Sequence, residues 1–417
     1  MTWINAFSTW LSAPAVLPRL QRLAIIYGAL FFMMTLVLTW FAPGLGYGAK
    51  GVVGGDFLAF YTAGEMTLEG RALEAYDFEA FDAALQTRVA NEHLGMMWQY
   101  PPVMFFLVGL LALMPYKLSL WIWIISTAAI FVWALRRLLE SAAPELKNQR
   151  LATLLILTSP LCLMVVTSGQ VSLLTAALLM TAAFRPNTHW LWAGLAAGLL
   201  TVKPQLGVLI PLAYIMAGAW RAFGVAAVTV VVLHAVSVFV FGPETVSAFF
   251  NAVVRLQSDV AGSGTHTPPV NMTTLLGQLR YWQVPSSIAM PMHLLLAALI
   301  FVSVTVLWRR HARRERTALY LAALTGAGAI LVTPYAYAYE MAALTPAAIW
   351  LVFRSRMDRG AAIALLTAAW GLLTLRQFVP FDSLVQMPFL VSVSAFAILA
   401  SHGFRVPIAG TTTGASP

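Results

Sequence analysis

Long apolar runs broken by short polar turns dominate the chain. The first extends from about Leu23 to Phe41, and others follow near 118–135, 151–167, 169–184, 189–202, 205–219, 222–242, 286–308, 318–333, 337–353, 360–375 and 384–402. Repeated runs of about 17–23 apolar residues fit helices that cross a hydrocarbon core roughly 30 Å thick. The pattern predicts an all-α integral membrane protein, a polytopic bundle of about twelve spans. The stretch 101–114 stands apart, because about 13 apolar residues are too few to span comfortably. It reads as a re-entrant or in-plane hairpin, and counting it as a span is the alternative. The first polar interval, 43–100, is long. It holds two helical pieces, near 57–70 and 77–94, with Gly70 as a C-cap and Asp77 as an N-cap. In the first piece Phe57, Phe60, Tyr61 and Ala63-Gly64 share a face opposite Glu65 and Glu69, the pattern of an amphipathic helix on a membrane surface.

Composition agrees with the periodicity. The chain is 60% hydrophobic and only 10% charged, against about a quarter charged in soluble domains. The alternating short segments of a membrane β-barrel are absent. No Gly-rich linker or polar tract marks a second domain, so residues 1–417 read as one transmembrane unit. Within it, 1–350, including the 43–100 loop, is the expected catalytic module, and 351–417 holds C-terminal helices. The net charge of +9 records topology and implies no nucleic-acid partner. Of the 25 basic residues, seventeen fall in turns on one side, among them Arg19, Arg22, Arg136, Arg137, Lys147, Arg150, Arg185, Arg221, Arg309, Arg310, Arg313, Arg314, Arg316, Arg354, Arg356, Arg359 and Arg405. The positive-inside rule makes that side cytoplasmic, with both termini there. The first run lacks a small-residue cleavage site and reads as a retained span. The lone Cys162 reads as a small buried hydrophobe.

The opposite face collects the unusual polar groups. Residues 56–92 contain eight of the sixteen acidic residues, opening with Asp56 after Gly54-Gly55. A carboxylate at an apolar interface gains a raised pKa by desolvation and suits a general base, whereas its local position also fits an N-cap. Lys203, before Pro204, breaks the positive-inside pattern. It is either a snorkelling lysine at a membrane edge or a cation for a phosphate. Gln170 and Gln205 are polar breaks at helix ends. Tyr335, Tyr337 and Tyr339 fit an interfacial aromatic belt, while Glu340 lies where a span begins and marks a cavity. The 243–285 interval, with Arg255, Asp259, His266, Asn271 and Arg280 around Gly262-Ser263-Gly264-Thr265, is either a lid or a connector. His266 is a possible phosphate contact. No second acid sits beside Asp56 and no metal motif occurs, so no metal is expected.

An ordered set then carries a resemblance: Gly55-Asp56-Phe57 with Tyr61-Thr62-Ala63-Gly64, Gly70, Ala75-Tyr76, Tyr100-Pro101-Pro102, Gly169-Gln170, Lys203-Pro204-Gln205 and Thr333-Pro334-Tyr335. Together they resemble the GT-C class of polyprenyl-phosphate-sugar-dependent glycosyltransferases. More narrowly they resemble glycosyltransferase family 87, with its polyprenyl-phosphate-mannose-dependent α-1,2-mannosyltransferases. The resemblance implies Asp56 as catalytic base, Lys203, Gln205, Tyr335 and His266 toward the donor phosphate, and Tyr61, Tyr100, Gln170, Tyr339 and Glu340 toward substrate. It implies no cofactor beyond a lipid-linked sugar co-substrate, a lipid or glycan acceptor, membrane lipids as partners, and a site on the outer face of a bacterial inner membrane. Some relatives carry a histidine in the stretch matching 333–340, where this chain has only Tyr and Glu. A transporter or lipid flippase is the competing reading; it favours inverted repeats and polar groups at the bilayer midplane. A non-catalytic scaffold is the third.

Overall fold

The computed structural model describes residues 16–41, 45–47, 51–89, 95–142, 153–154, 156–261, 272–312, 317–353 and 387–405. Helices dominate these residues, and a two-residue antiparallel pairing, β1 (Gly46–Tyr47) with β2 (Gly51–Val52), is the sole ladder among them. The chain enters as α1 (Val16–Phe41), passes that ladder and forms α2 (Phe57–Leu68), a turn of 3-10 helix at Glu74–Tyr76, and α3 (Phe78–Gln86). The structure continues with α4 (Met104–Ala112), α5 (Tyr116–Ala142), α6 (Pro160–Ser168), α7 (Ser172–Ala183), α8 (Trp190–Leu199), α9 (Pro204–Gly207), α10 (Ile210–Ala217) and α11 (Trp220–Phe241). The last part holds α12 (Glu244–Ala261), α13 (Leu275–Tyr281), α14 (Ser286–His311), α15 (Ala318–Val332), 3-10 helix Ala338–Leu344, α16 (Thr345–Phe353) and α17 (Met387–Arg405).

Among the described residues, four helices are long and apolar enough to cross a membrane: Tyr116–Glu140, Trp220–Phe241, Ser286–His311 and Pro388–Arg405. On α11 the side chains of Val228, Val231 and Phe239 are exposed, the last at 90%. An apolar surface of that extent needs lipid or a partner to cover it. Of the other expected spans, Ser172–Ala183, Trp190–Val202, Pro204–Ala217 and Ala318–Val332 are shorter apolar helices, and 360–375 lies outside the described residues. In the 101–114 stretch α4 has nine residues, about 14 Å at 1.5 Å per residue, against the roughly 30 Å of a hydrocarbon core.

Two expectations need correction. The 57–68 helix does not lie on a surface. Leu58, Thr62 and Met66, the face opposite Phe57 and Tyr61, are buried as well, and only its last turn emerges. Gly64 makes this possible, since a Cβ there would overlap the Val108 carbonyl of α4. The 243–285 interval is likewise more than a lid or connector, for α12 and α13 occupy most of it. Ala248, Phe249 and Ala252 pack on the first-loop core and Leu256 is buried, while Asn251, Arg255 and Ser258 face outward, a helical repeat. Gly262–Thr265, His266 and Asn271 lie outside the described residues, as do Lys147, Arg150, Arg313, Arg314, Arg316, Arg354, Arg356 and Arg359. Cys162 is buried and unpaired as a disulfide, as expected. Asp77 caps α3, accepting from the Ala80 amide at 2.9 Å, and Gly70 follows α2 with φ +75°.

Candidate active site

Two chain breaks interlock to place Asp56. The first is the turn before α2, where Gly54 and Gly55 take φ +82° and +50°, values that cost a side-chain-bearing residue steric strain. The Phe57 amide donates to the Gly54 carbonyl at 2.9 Å and starts the helix. The second is the end of α6, where Gly169 closes the helix at φ +58°. A Cβ on Gly169 would lie 2.5 Å from the Phe57 Cβ and 2.7 Å from the Gly54 carbonyl oxygen. The two backbones therefore touch, and glycine is the residue that lets them.

Helix α5 ties both breaks together. The Tyr116 hydroxyl donates to the Val53 carbonyl at 2.6 Å, and the Trp123 indole N–H donates to the Gly169 carbonyl at 2.8 Å. Seven residues apart, the two side chains rise from one helix face. Phe57 packs between them, 5.4 Å from the Tyr116 ring and 6.5 Å from Trp123.

At this junction the Gln170 amide Nε2 donates to Asp56 Oδ2 at 2.5 Å across 114 residues of sequence. Gln170 Oε1 accepts from the Val171 amide at 3.2 Å and faces the Tyr100 hydroxyl at 3.4 Å, so its orientation is fixed. Asp56 makes no capping bond to its own helix, which removes the N-cap reading. Burial raises the Asp56 pKa, while the Gln170 hydrogen bond and the Lys203 charge oppose that rise. Burial likewise pushes the Tyr100 hydroxyl up to about 12, so it is a neutral donor.

Lys203 occupies a third break. The Leu200–Val202 turn ends there with the Lys203 backbone at φ −144°, ψ 70°, because Pro204 excludes the helical region from the residue before it. Its ammonium is buried, lies 5.7 Å from the Tyr100 ring centre and 5.5 Å from that of Tyr339, and pairs with Glu340 Oε1. Glu340 Oε2 has no hydrogen-bond partner among the described residues. The strand-like strap before Glu340 is fastened by the 272–274 segment. The Thr273 amide donates to the Ala336 carbonyl at 2.7 Å, Thr274 Oγ1 to that of Pro334 at 3.0 Å, and Met272 bridges Tyr337. The Tyr337 and Tyr339 rings lie 5.5 Å apart, tilted by 32°, and the charges of Asp56 and Lys203 both act on Tyr337.

The structure thus joins Asp56, Tyr100, Gln170, Lys203, Tyr339 and Glu340, with Tyr335 half-buried at the edge where the Lys203 and Glu340 charges reach it. It does not join Tyr61, whose hydroxyl donates to the Met114 carbonyl at 2.8 Å and whose ring packs on Tyr116. Tyr61 holds α2 to the end of α4, where the sequence reading gave it a substrate role. Gln205 is half-buried with no hydrogen bond to the cluster among the described residues, and His266 lies outside them. Tyr116 and Trp123 escaped the sequence reading; their i, i+7 spacing on a helix following the first loop was the available signal. No group of three or more His, Cys, Asp or Glu side chains suited to a metal occurs among the described residues.

No curated protein and no solved structure matches the chain. The profile of glycosyltransferase family 87 matches residues 98–334, more than half of the 417. That segment contains Tyr100, Gln170 and Lys203, while Asp56 and the 335–340 strap flank it. The match bears out the family resemblance read from the sequence, and the chain belongs to glycosyltransferase family 87.

Proposed function

We propose that this protein transfers a sugar, mannose by the motif resemblance, from a polyprenyl-phosphate donor to a hydroxyl of a lipid or glycan acceptor, with inversion at the anomeric carbon. The observation that carries the reading is a half-buried carboxylate, Asp56, and a buried cation, Lys203, brought into one polar cluster. Asp56 takes the proton of the acceptor hydroxyl as that oxygen forms its bond to the anomeric carbon. The bond from that carbon to the donor phosphate oxygen breaks, and the electron pair leaves with polyprenyl phosphate. Lys203 offsets the charge that develops there, with Tyr100 and Tyr335 as neutral hydroxyl donors nearby.

Desolvation serves this step in two ways. It raises the basicity of Asp56, and it strengthens the attraction between Lys203 and a departing phosphate. Gln170 holds the carboxylate in place without neutralising it. We assign the site to the outer face of the inner membrane, with cytoplasmic termini, on the basic-residue asymmetry. Nucleotide sugars are cytoplasmic, so an outward site takes a lipid-carried donor. The prenyl chain would lie along apolar helices such as α11.

The donor class is tested with purified protein supplied in parallel with polyprenyl-phosphate-mannose and with GDP-mannose, each with membrane lipid extract as acceptor. Transfer from the polyprenyl donor alone is the expected result. Transfer from the nucleotide sugar alone would overturn the donor assignment and the outward orientation with it.

A further inference from the structure

Helices α8 and α11 meet along a seam that glycine makes possible. A Cβ on Gly194 would lie 2.6 Å from the Val225 Cβ and 2.7 Å from the Ala222 carbonyl oxygen, and one on Gly198 would lie 2.4 Å from the Thr229 Cβ. Small residues four apart let membrane helices touch backbone to backbone. Because Gly194 meets Val225 and Gly198 meets Thr229, the two helices run parallel and begin at one level. A groove of about 580 Å³ follows the seam from its start, lined by Trp190 and Leu195 of α8 and by Trp220, Arg221, Gly224 and Val228 of α11. Helix α11 has 22 residues, about 33 Å at 1.5 Å per residue, close to the thickness of a hydrocarbon core. Trp220 and Arg221, its first two residues, therefore stand at one membrane boundary, and Trp190 joins them there. Arg221 is exposed, and none of the described residues lining the groove carries a carboxylate. Arg221, Gly224, Val225 and Val228 share one helix face at i, i+3, i+4 and i+7, and exposed Val231 and Val232 prolong it. A Cβ on Gly224 would meet nothing within 4 Å, so the groove is open there.

We infer that this groove holds one anionic phospholipid of the bilayer, its phosphate on Arg221 between the two indoles and one acyl chain along the α11 stripe. Charge decides the head. A guanidinium with no carboxylate beside it favours a net negative head over a zwitterionic one, whose ammonium it repels. The indoles of Trp190 and Trp220 suit the headgroup level, with an apolar body and an N–H donor. The lining below Arg221 decides the tail. It is apolar apart from Thr229, whose hydroxyl donates to the Val225 carbonyl at 2.8 Å, so it offers a sugar or nucleotide no free partner. The groove is also remote from Lys203. His234 of α11 faces Thr201 at 3.5 Å, which sets the level of the Lys203 break about 20 Å along the helix from Arg221. The inference rests on the chain lying in a membrane and not on the transfer reading.

The test is native mass spectrometry of the full chain, equilibrated in detergent with equal amounts of phosphatidylglycerol and phosphatidylcholine carrying the same acyl chains. Wild type is expected to keep one phosphatidylglycerol, preferred about fivefold over phosphatidylcholine, the effect of one basic side chain at an anionic surface. Arg221→Gln should keep a lipid but lose the preference. Gly224→Phe should lose the lipid, because its ring fills the groove; the position is open, and a helix accepts Phe more readily than Gly. Arg309→Gln, which removes a different exposed cation in the last turn of α14, should behave as wild type. The inference is overturned by absence of retained lipid in wild type, by equal retention of the two heads, by undiminished retention in Gly224→Phe, or by an equal loss of preference in Arg309→Gln. A dimer formed in place of bound lipid would assign the groove to a second copy of the chain. Displacement of phosphatidylglycerol by farnesyl phosphate at equal concentration would assign it to an isoprenoid. Either result also overturns the phospholipid.

Discussion

The two halves of the candidate site are held in opposite ways. Asp56 is positioned by shape: two glycine turns in contact, with Tyr116 and Trp123 fixing their carbonyls and the Gln170 amide on its carboxylate. Lys203 is positioned by charge, through an ion pair with Glu340 that neutralises it inside the protein. On the proposed mechanism the difference suits the two roles. A carboxylate held by a neutral amide keeps its charge and basicity, as a proton acceptor must. A cation already paired is stable without substrate and can exchange part of its partner's attraction for a phosphate.

Breaking the charged half should cost the fold most. Lys203→Met leaves the Glu340 carboxylate buried without its cation, an expected loss of roughly 3–5 kcal/mol, read by thermal unfolding in detergent. The double variant with Glu340→Met should recover most of that stability, because two apolar side chains replace a buried pair. It should still lack transfer activity, which separates the role of Lys203 in the reaction from its role in folding. The shape-held half should break differently. Gly169→Ala drives a methyl group into Phe57 and the Gly54 carbonyl and meets an unfavourable φ, so about 1–3 kcal/mol is expected. Transfer should fall further than stability does, since Asp56 is displaced with the turn.

A pH profile sharpens the same contrast. On the proposed mechanism transfer requires ionised Asp56, so the rate should fall as pH drops through its pKa. Burial raises that pKa above the ordinary carboxylate value, and the acid limb should lie correspondingly higher. Gln170→Leu removes a hydrogen bond that favours the charged form, so the limb should move to still higher pH; a shift to lower pH would contradict the assignment. The smallest effect belongs to Tyr61→Phe. It loses one hydrogen bond to the Met114 carbonyl, about 1 kcal/mol of stability, and should leave the transfer rate of the folded enzyme unchanged.

Much of this site was legible in the sequence because its residues sit at breaks in apolar runs. Gly55-Asp56, Gly169-Gln170 and Lys203-Pro204 each stand at a helix end with a polar group that membrane helices otherwise avoid. The family profile bears out the glycosyltransferase reading and gives the transporter alternative no support. What a linear reading missed was tertiary. The Lys203–Glu340 pair spans 137 positions, and no local spacing announces it; Glu340 was read toward substrate when its first partner is this lysine. The helix after Asp56 looked amphipathic because Glu65 and Glu69 stand on one side, yet Leu58, Thr62 and Met66 are covered by the rest of the first-loop core. Helix α12 was legible in its Ala248, Phe249, Ala252 and Leu256 repeat, but it was passed over beside the Gly-Ser stretch that follows.

The most direct test of the account is the single-turnover transfer rate of Asp56→Asn, with donor binding measured on the same protein. Asparagine preserves size and a hydrogen-bonding oxygen but removes the base. The account expects donor affinity near wild type and a rate reduced by about 10²–10⁴, the usual contribution of a general base. A rate within a few-fold of wild type in a protein that binds donor normally would show that Asp56 shapes the site without taking the acceptor's proton.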